Sequence, residues 1–89
     1  MNEWIRTADG TEIRDTYIVR MDMDSIAIYA RGITRVRDAW EIFGDPEKTR
    51  EIHSWQYGDE ADWTGYTEPT AIQANRDGAV ICLRKGTTT

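Results

Sequence analysis

The stretch ITRVRDAWEIFGDP, residues 33–46, is where the periodicity of the chain changes, and its reading decides the fold. Ile33, Val36, Trp40 and Phe43 recur at i, i+3, i+7 and i+10, the spacing of one face of an α-helix. A strand reading would put Arg35, Arg37, Ala39 and Glu41 together on one face, a less coherent surface. Gly44 follows the last apolar position, where a left-handed C-terminal cap is expected. Asp45-Pro46 then reads as an N-cap with proline at the first helical position. The spacing therefore predicts a helix over 34–43 and a short helical turn over 45–49.

On either side of this stretch the period is two. Residues 12–21, EIRDTYIVRM, alternate, with Ile13, Tyr17, Val19 and Met21 on the expected inner face and Arg14, Thr16 and Arg20 on the other. Residues 3–7 precede them across Ala8-Asp9-Gly10-Thr11, a hairpin turn in which glycine accepts positive φ. Residues 25–31, SIAIYAR, place Ile26, Ile28 and Ala30 together. After the helix, strands are expected over 51–57, where His53, Trp55 and Tyr57 alternate with Ile52, Ser54 and Gln56, and over 62–67. Another is expected over 70–75, its start limited by Pro69. Asp77-Gly78 is a further hairpin signal leading into AVICLRK, residues 79–85. Four consecutive apolar residues make that segment the expected central strand. The sum is an α+β domain: an antiparallel sheet of about six to seven short strands, curved into a sandwich or partial barrel, with one helix packed on it.

A length of 89 residues allows one domain, read as 1–86 with a frayed tail over 87–89. The net charge is −5, from 16 acidic and 11 basic residues, nine of the latter arginine. Its long-range field repels phosphates, so direct binding to nucleic acid or an anionic membrane is not expected. One cysteine, Cys82, precludes an internal disulfide; in an apolar strand it reads as a small buried hydrophobe. No apolar run reaches the length of a membrane span, and the N-terminus lacks the pattern of a secretion signal. A cytoplasmic protein is expected.

Asp59-Glu60-Ala61-Asp62 spells the signature of a class of RNA helicases. In those motors the acids end a buried apolar strand beside a phosphate loop; here Ser54-Trp55-Gln56-Tyr57-Gly58 precedes them and no G-x-x-x-x-G-K-[ST] occurs. The spelling is accidental. The same residues do gather negative charge beside aromatic ones, a composition suited to protein binding. Asp59, Glu60, Asp62, Trp63 and Tyr66 are the candidate interface residues, with Asp22 and Asp24 as a second patch. Asp22 and Asp24 have no third ligand at calcium-loop spacing, so no metal is assigned. His53 and Ser54 are adjacent, and strand neighbours point to opposite faces; His53 is expected to be partly exposed, and no catalytic residues or cofactor are assigned.

The segments DAWEIFGDPEKTREI (residues 38–52), WTGYTEPTAI (63–72) and DGAVICLRKG (77–86) resemble small uncharacterised proteins of phages and integrated elements of Gram-positive bacteria. The resemblance implies a phage or mobile-element origin. Joined to the acidic charge, it leads to the expectation of a non-enzymatic inhibitor that binds a basic, nucleic-acid-binding surface of a bacterial defence protein, in the manner of an anti-CRISPR. The alternatives are an accessory protein of a phage tail or baseplate, a homodimer included, and a carbohydrate-binding module using the tryptophans.

Overall fold

The computed structural model describes residues 5–58 and 62–86. Its elements run β1 (Asp15–Met21), β2 (Ser25–Arg31), α1 (Val36–Phe43), α2 (Pro46–Tyr57), a 3-10 turn (Asp62–Gly65), β3 (Tyr66–Ala74) and β4 (Gly78–Lys85). The strands form one antiparallel sheet in the order β1-β2-β4-β3. The chain leaves β2 through the two helices, reaches the far edge as β3, and folds back as β4 between β2 and β3. α1 packs on β3 and β4, and α2 on β3 and the 3-10 turn.

The core lies between helices and sheet. β2 contributes Ile26, Ile28 and Ala30, β4 contributes Ala79, Ile81 and Leu83, and the helices supply Ala39, Ile42, Phe43 and Ile52. The central position expected for β4 is observed, as is the Asp77-Gly78 turn, where the Asn75 side chain accepts from the Asp77 and Gly78 amides at 2.8 and 3.1 Å. Asp45 caps α2 as expected, its side chain accepting from the Glu47 amide at 2.9 Å, with Pro46 at the start of the helix. In the turn enclosed by the Arg6–Glu12 bridge, Asp9 accepts from the Thr7 hydroxyl and the Thr11 amide, which holds its carboxyl down to about 2.

Several expectations are corrected. Among the described residues the sheet has four strands and is open, with two helices on it, in place of six to seven strands in a sandwich or partial barrel with one helix. Residues 51–57 continue α2 and are not a strand. Once Asp45 and Pro46 start a helix, Thr49, Ile52 and His53 fall at i, i+3 and i+4 and form its buried side. The alternation of His53, Trp55 and Tyr57 is a coincidence of composition. Residues 62–65 are a 3-10 turn, and β3 runs unbroken through Pro69. Proline is tolerated there because β3 is an edge strand with a register shift at that point. Gly44 closes α1 with φ −76°, in the right-handed region and not the left-handed one. The buried side of α1 is Asp38, Ala39, Ile42 and Phe43, while Val36 and Trp40 face solvent.

β1 also shows the opposite face. Thr16 is buried, whereas Tyr17, Val19 and Met21 are about half exposed. Ile13 is buried ahead of the strand, so the phase slips between residues 13 and 16, and a bulge between Ile18 and Arg20 shifts it again. The side of the sheet away from the helices consequently carries Tyr17, Ala27, Tyr29, Val80 and Cys82, with Cys82 half-buried rather than enclosed. The expected strand over 3–7 and the tail over 87–89 include residues outside those described.

Gly32, which ends β2, has φ +99°, and a Cβ there would stand 2.4 Å from the Glu12 carbonyl oxygen. Gly10 has φ +90° with open space around it. Gly32→Ala is expected to lower unfolding free energy by about 1–3 kcal/mol, and Gly10→Ala by less, since it carries the backbone cost without the collision. Urea denaturation of both variants checks the difference; equal losses would refute it.

Candidate functional site

The hairpin turn between β1 and β2 is held from two sides. The Asp22 amide donates to the Ser25 carbonyl at 2.8 Å, and the Lys85 amide of β4 donates to the Asp24 carbonyl at 3.2 Å. The Tyr66 hydroxyl, at the start of β3, donates to the Met23 carbonyl at 2.9 Å. Fixed in this way, the turn stands opposite the 3-10 turn that carries Trp63. Between them lies an open groove of about 600 Å³ lined by Met21, Asp22, Met23, Trp63 and Tyr66.

The walls have different characters. Tyr66 is only 6% exposed and forms the floor, with the Lys85 ammonium 5.6 Å from its ring centre. Trp63 packs against the core and meets the Tyr57 ring edge-on at 5.9 Å. Tyr57 in turn pairs its hydroxyl with that of Thr16 at 3.3 Å, and burial pushes its phenol above the usual value. Met23, by contrast, is 88% exposed and Met21 55%. A rigid aromatic floor under two flexible thioethers is a surface able to adapt to an apolar side chain.

The structure thus joins two patches that are remote in sequence. Of the candidate interface residues, Asp22, Trp63 and Tyr66 line one groove. Asp24 belongs to the same hairpin turn without lining the groove. Asp62 opens the 3-10 turn beside Trp63; its side chain, together with Asp59 and Glu60, lies outside the described residues. Met21 and Met23 are the groove residues that sequence reasoning passed over. The available signal was the alternation Met-Asp-Met-Asp in a turn, which leaves large apolar side chains nowhere to be buried.

His53 corrects the expectation of a partly exposed side chain. It is fully buried on α2, and its Nε2 lies 3.0 Å from the Tyr66 carbonyl. A carbonyl only accepts, so Nε2 carries the hydrogen and Nδ1 is bare, without a hydrogen-bond partner among the described residues. The ring anchors the strand that carries Tyr66 to the helix beneath it. Among the described residues no group of three or more His, Cys, Asp or Glu side chains is placed to hold a metal ion, and no helix is long and apolar enough to cross a membrane. No known protein family, curated protein or solved structure matches the chain.

Burial pushes the His53 imidazole below its ordinary value of 6.5, outweighing the hydrogen bond to Tyr66. The unfolded chain then takes up a proton that the folded chain refuses. Stability is therefore full above about pH 6.5 and falls as pH drops below it, by at most about 1.4 kcal/mol per pH unit. His53 is the only histidine in the sequence, so a melting series from neutral to mildly acid pH isolates it. The melting temperature is expected to fall over that window, and His53→Gln to flatten the dependence while lowering stability throughout. An unchanged slope in the variant would refute this assignment.

Proposed function

We propose that this chain is a non-enzymatic protein-binding module whose groove between the β1–β2 turn and Trp63 receives an apolar side chain flanked by Lys or Arg. The observation that carries the reading is the convergence of exposed Met21 and Met23 with Trp63 and Asp22 on one concave surface. Aromatic and methionine side chains are favoured at the centres of protein interfaces, and charge at the rim directs the choice of partner. The acids around it in sequence, Asp22, Asp24, Asp59, Glu60 and Asp62, suit a basic partner.

In the cell, we infer, the partner is a basic nucleic-acid-binding protein of bacterial defence, and the chain is a cytoplasmic inhibitor that occupies its nucleic-acid surface. The net charge of −5 and the resemblance to phage and mobile-element proteins support that role. The tail or baseplate alternative called for strand edges that pair with neighbours. Both edges of this sheet, β1 and β3, are interrupted by register shifts, and β3 carries Pro69, features that discourage strand addition. Sugar binding through a row of tryptophans finds little support either, because Trp40 faces solvent on α1 while Trp63 packs on the core.

The test is capture of partners from a phage-sensitive Gram-positive host by the immobilised protein, followed by affinity measurement on the purified partner. A basic nucleic-acid-binding protein is expected, with binding that weakens as added salt shortens the Debye length below about 10 Å. Met23→Glu is expected to weaken it by at least about tenfold, a loss of more than 1 kcal/mol at a hot spot, without changing the melting temperature. A captured partner that is acidic, or binding untouched by Met23→Glu, would overturn the reading.

A further inference from the structure

The arginines are not spread evenly over this acidic chain. Three of them, Arg14, Arg31 and Arg76, meet around Tyr17 and Tyr29 at one end of the sheet face turned away from α1 and α2, where they line an open cleft of about 770 Å³. This volume is within the range of about 300–1,000 Å³ typical of small-molecule sites. Tyr17 and Tyr29 are paired across β1 and β2 on that face, with ring centres 5.4 Å apart and planes at 35°.

The two rings differ in freedom. Tyr29 is pinned: its hydroxyl donates to the Asn75 side chain at 3.4 Å, and its ring lies over Gly78, where a Cβ would come within 2.7 Å of it. Tyr17 rests against it and is 51% exposed, offering a ring face to solvent. The cations differ too. Arg31 has an ion-pair partner, Asp15, at a loose 3.5 Å, while Arg14 and Arg76 make no ion pair within 4.0 Å among the described residues. The acids of the cleft are Glu12, already bound to Arg6 at 2.8 Å, and Asp77.

We propose that this cleft binds a nucleotide unit, with the base stacked on Tyr17 and the phosphate held between Arg14 and Arg76. A guanidinium presents a planar fork of donors that matches phosphate oxygens, and an aromatic face accepts any base. A carboxylate-bearing peptide would satisfy the arginines but leave the exposed tyrosine face without a planar partner. The site is separate from the methionine groove, which is lined by none of the same residues. The net charge of the chain opposes long polyanions more than small ones, so the ligand is a free nucleotide or a short single-stranded segment.

Fluorescence anisotropy with a labelled oligouridylate of about 12 nucleotides, displaced by unlabelled AMP or by the same oligonucleotide, tests this on the full chain. Binding of the oligonucleotide is expected, weakened about tenfold by Tyr17→Ala and comparably by Arg76→Ala, preserved in Tyr17→Phe, and unchanged in Arg50→Ala on α2. Displacement by AMP at millimolar concentration identifies a single-nucleotide site; displacement by the oligonucleotide alone identifies a strand-binding one. All the substituted side chains are exposed or half-exposed, so the variants fold. The proposal is overturned if neither ligand binds at millimolar concentration, if Tyr17→Ala binds as well as the parent, or if an acidic peptide displaces the probe as effectively as the nucleotides do.

Discussion

β4 is hydrogen-bonded along both of its sides, to β2 through seven aligned residue pairs and to β3 across two register shifts. A strand in that position has no free edge, and its inward residues Ala79, Ile81 and Leu83 are sealed by the helices. Its place between β2 and β3 leaves β3 at the far edge, which the chain reaches through the two-helix connection. The helices cover one side of the sheet only, because both belong to that one connection. The end of β4 also fixes the β1–β2 turn, through the Lys85 amide, and the start of β3, through the Gly86 amide and the Gly65 carbonyl. The groove between Met23 and Trp63 is thus a by-product of how the central strand is tied at its end.

Elements whose apolar content agrees with their environment were readable from the letters. β2 and β4 alternate or run apolar as their positions require, and Asp45-Pro46 and Asp77-Gly78 do the jobs their chemistry suits. What misled was polar burial. Thr16, Thr49, Asp38 and His53 are all buried, and each is polar, so a hydrophobic count assigns their faces to solvent. Thr49 and His53 hold their places by hydrogen bonds, Thr49 to the carbonyls of Phe43 and Asp45 and His53 to that of Tyr66. Such bonds span turns or distant segments and leave no periodic trace. The helical identity of residues 50–57 and the inner face of β1 were lost for this reason.

The candidate groove was half legible. Acidic residues beside Trp63 and Tyr66 drew attention to one wall, and the aspartates of the hairpin turn to the other. That the two walls face each other depends on the Tyr66 hydroxyl reaching the Met23 carbonyl across 43 positions of sequence, which no local pattern announces. The arginine cleft was hidden differently. Arg14, Arg31 and Arg76 are far apart along the chain, and a net charge of −5 suggests a molecule that avoids anions everywhere. Charge averaged over a whole chain says little about a surface patch a few residues wide.

The uncovered sheet face has one more property. Cys82, the sole thiol of the chain, stands on it half-buried between cross-strand neighbours Ala27 and Ala71, whose side chains are single methyl groups. The sulfur therefore sits in a shallow dip of the β-surface, on the same side as the tyrosine pair and away from the methionine groove. A small thiol-reactive fluorophore or spin label placed there would need no engineered cysteine, and it would report from one side of the molecule alone.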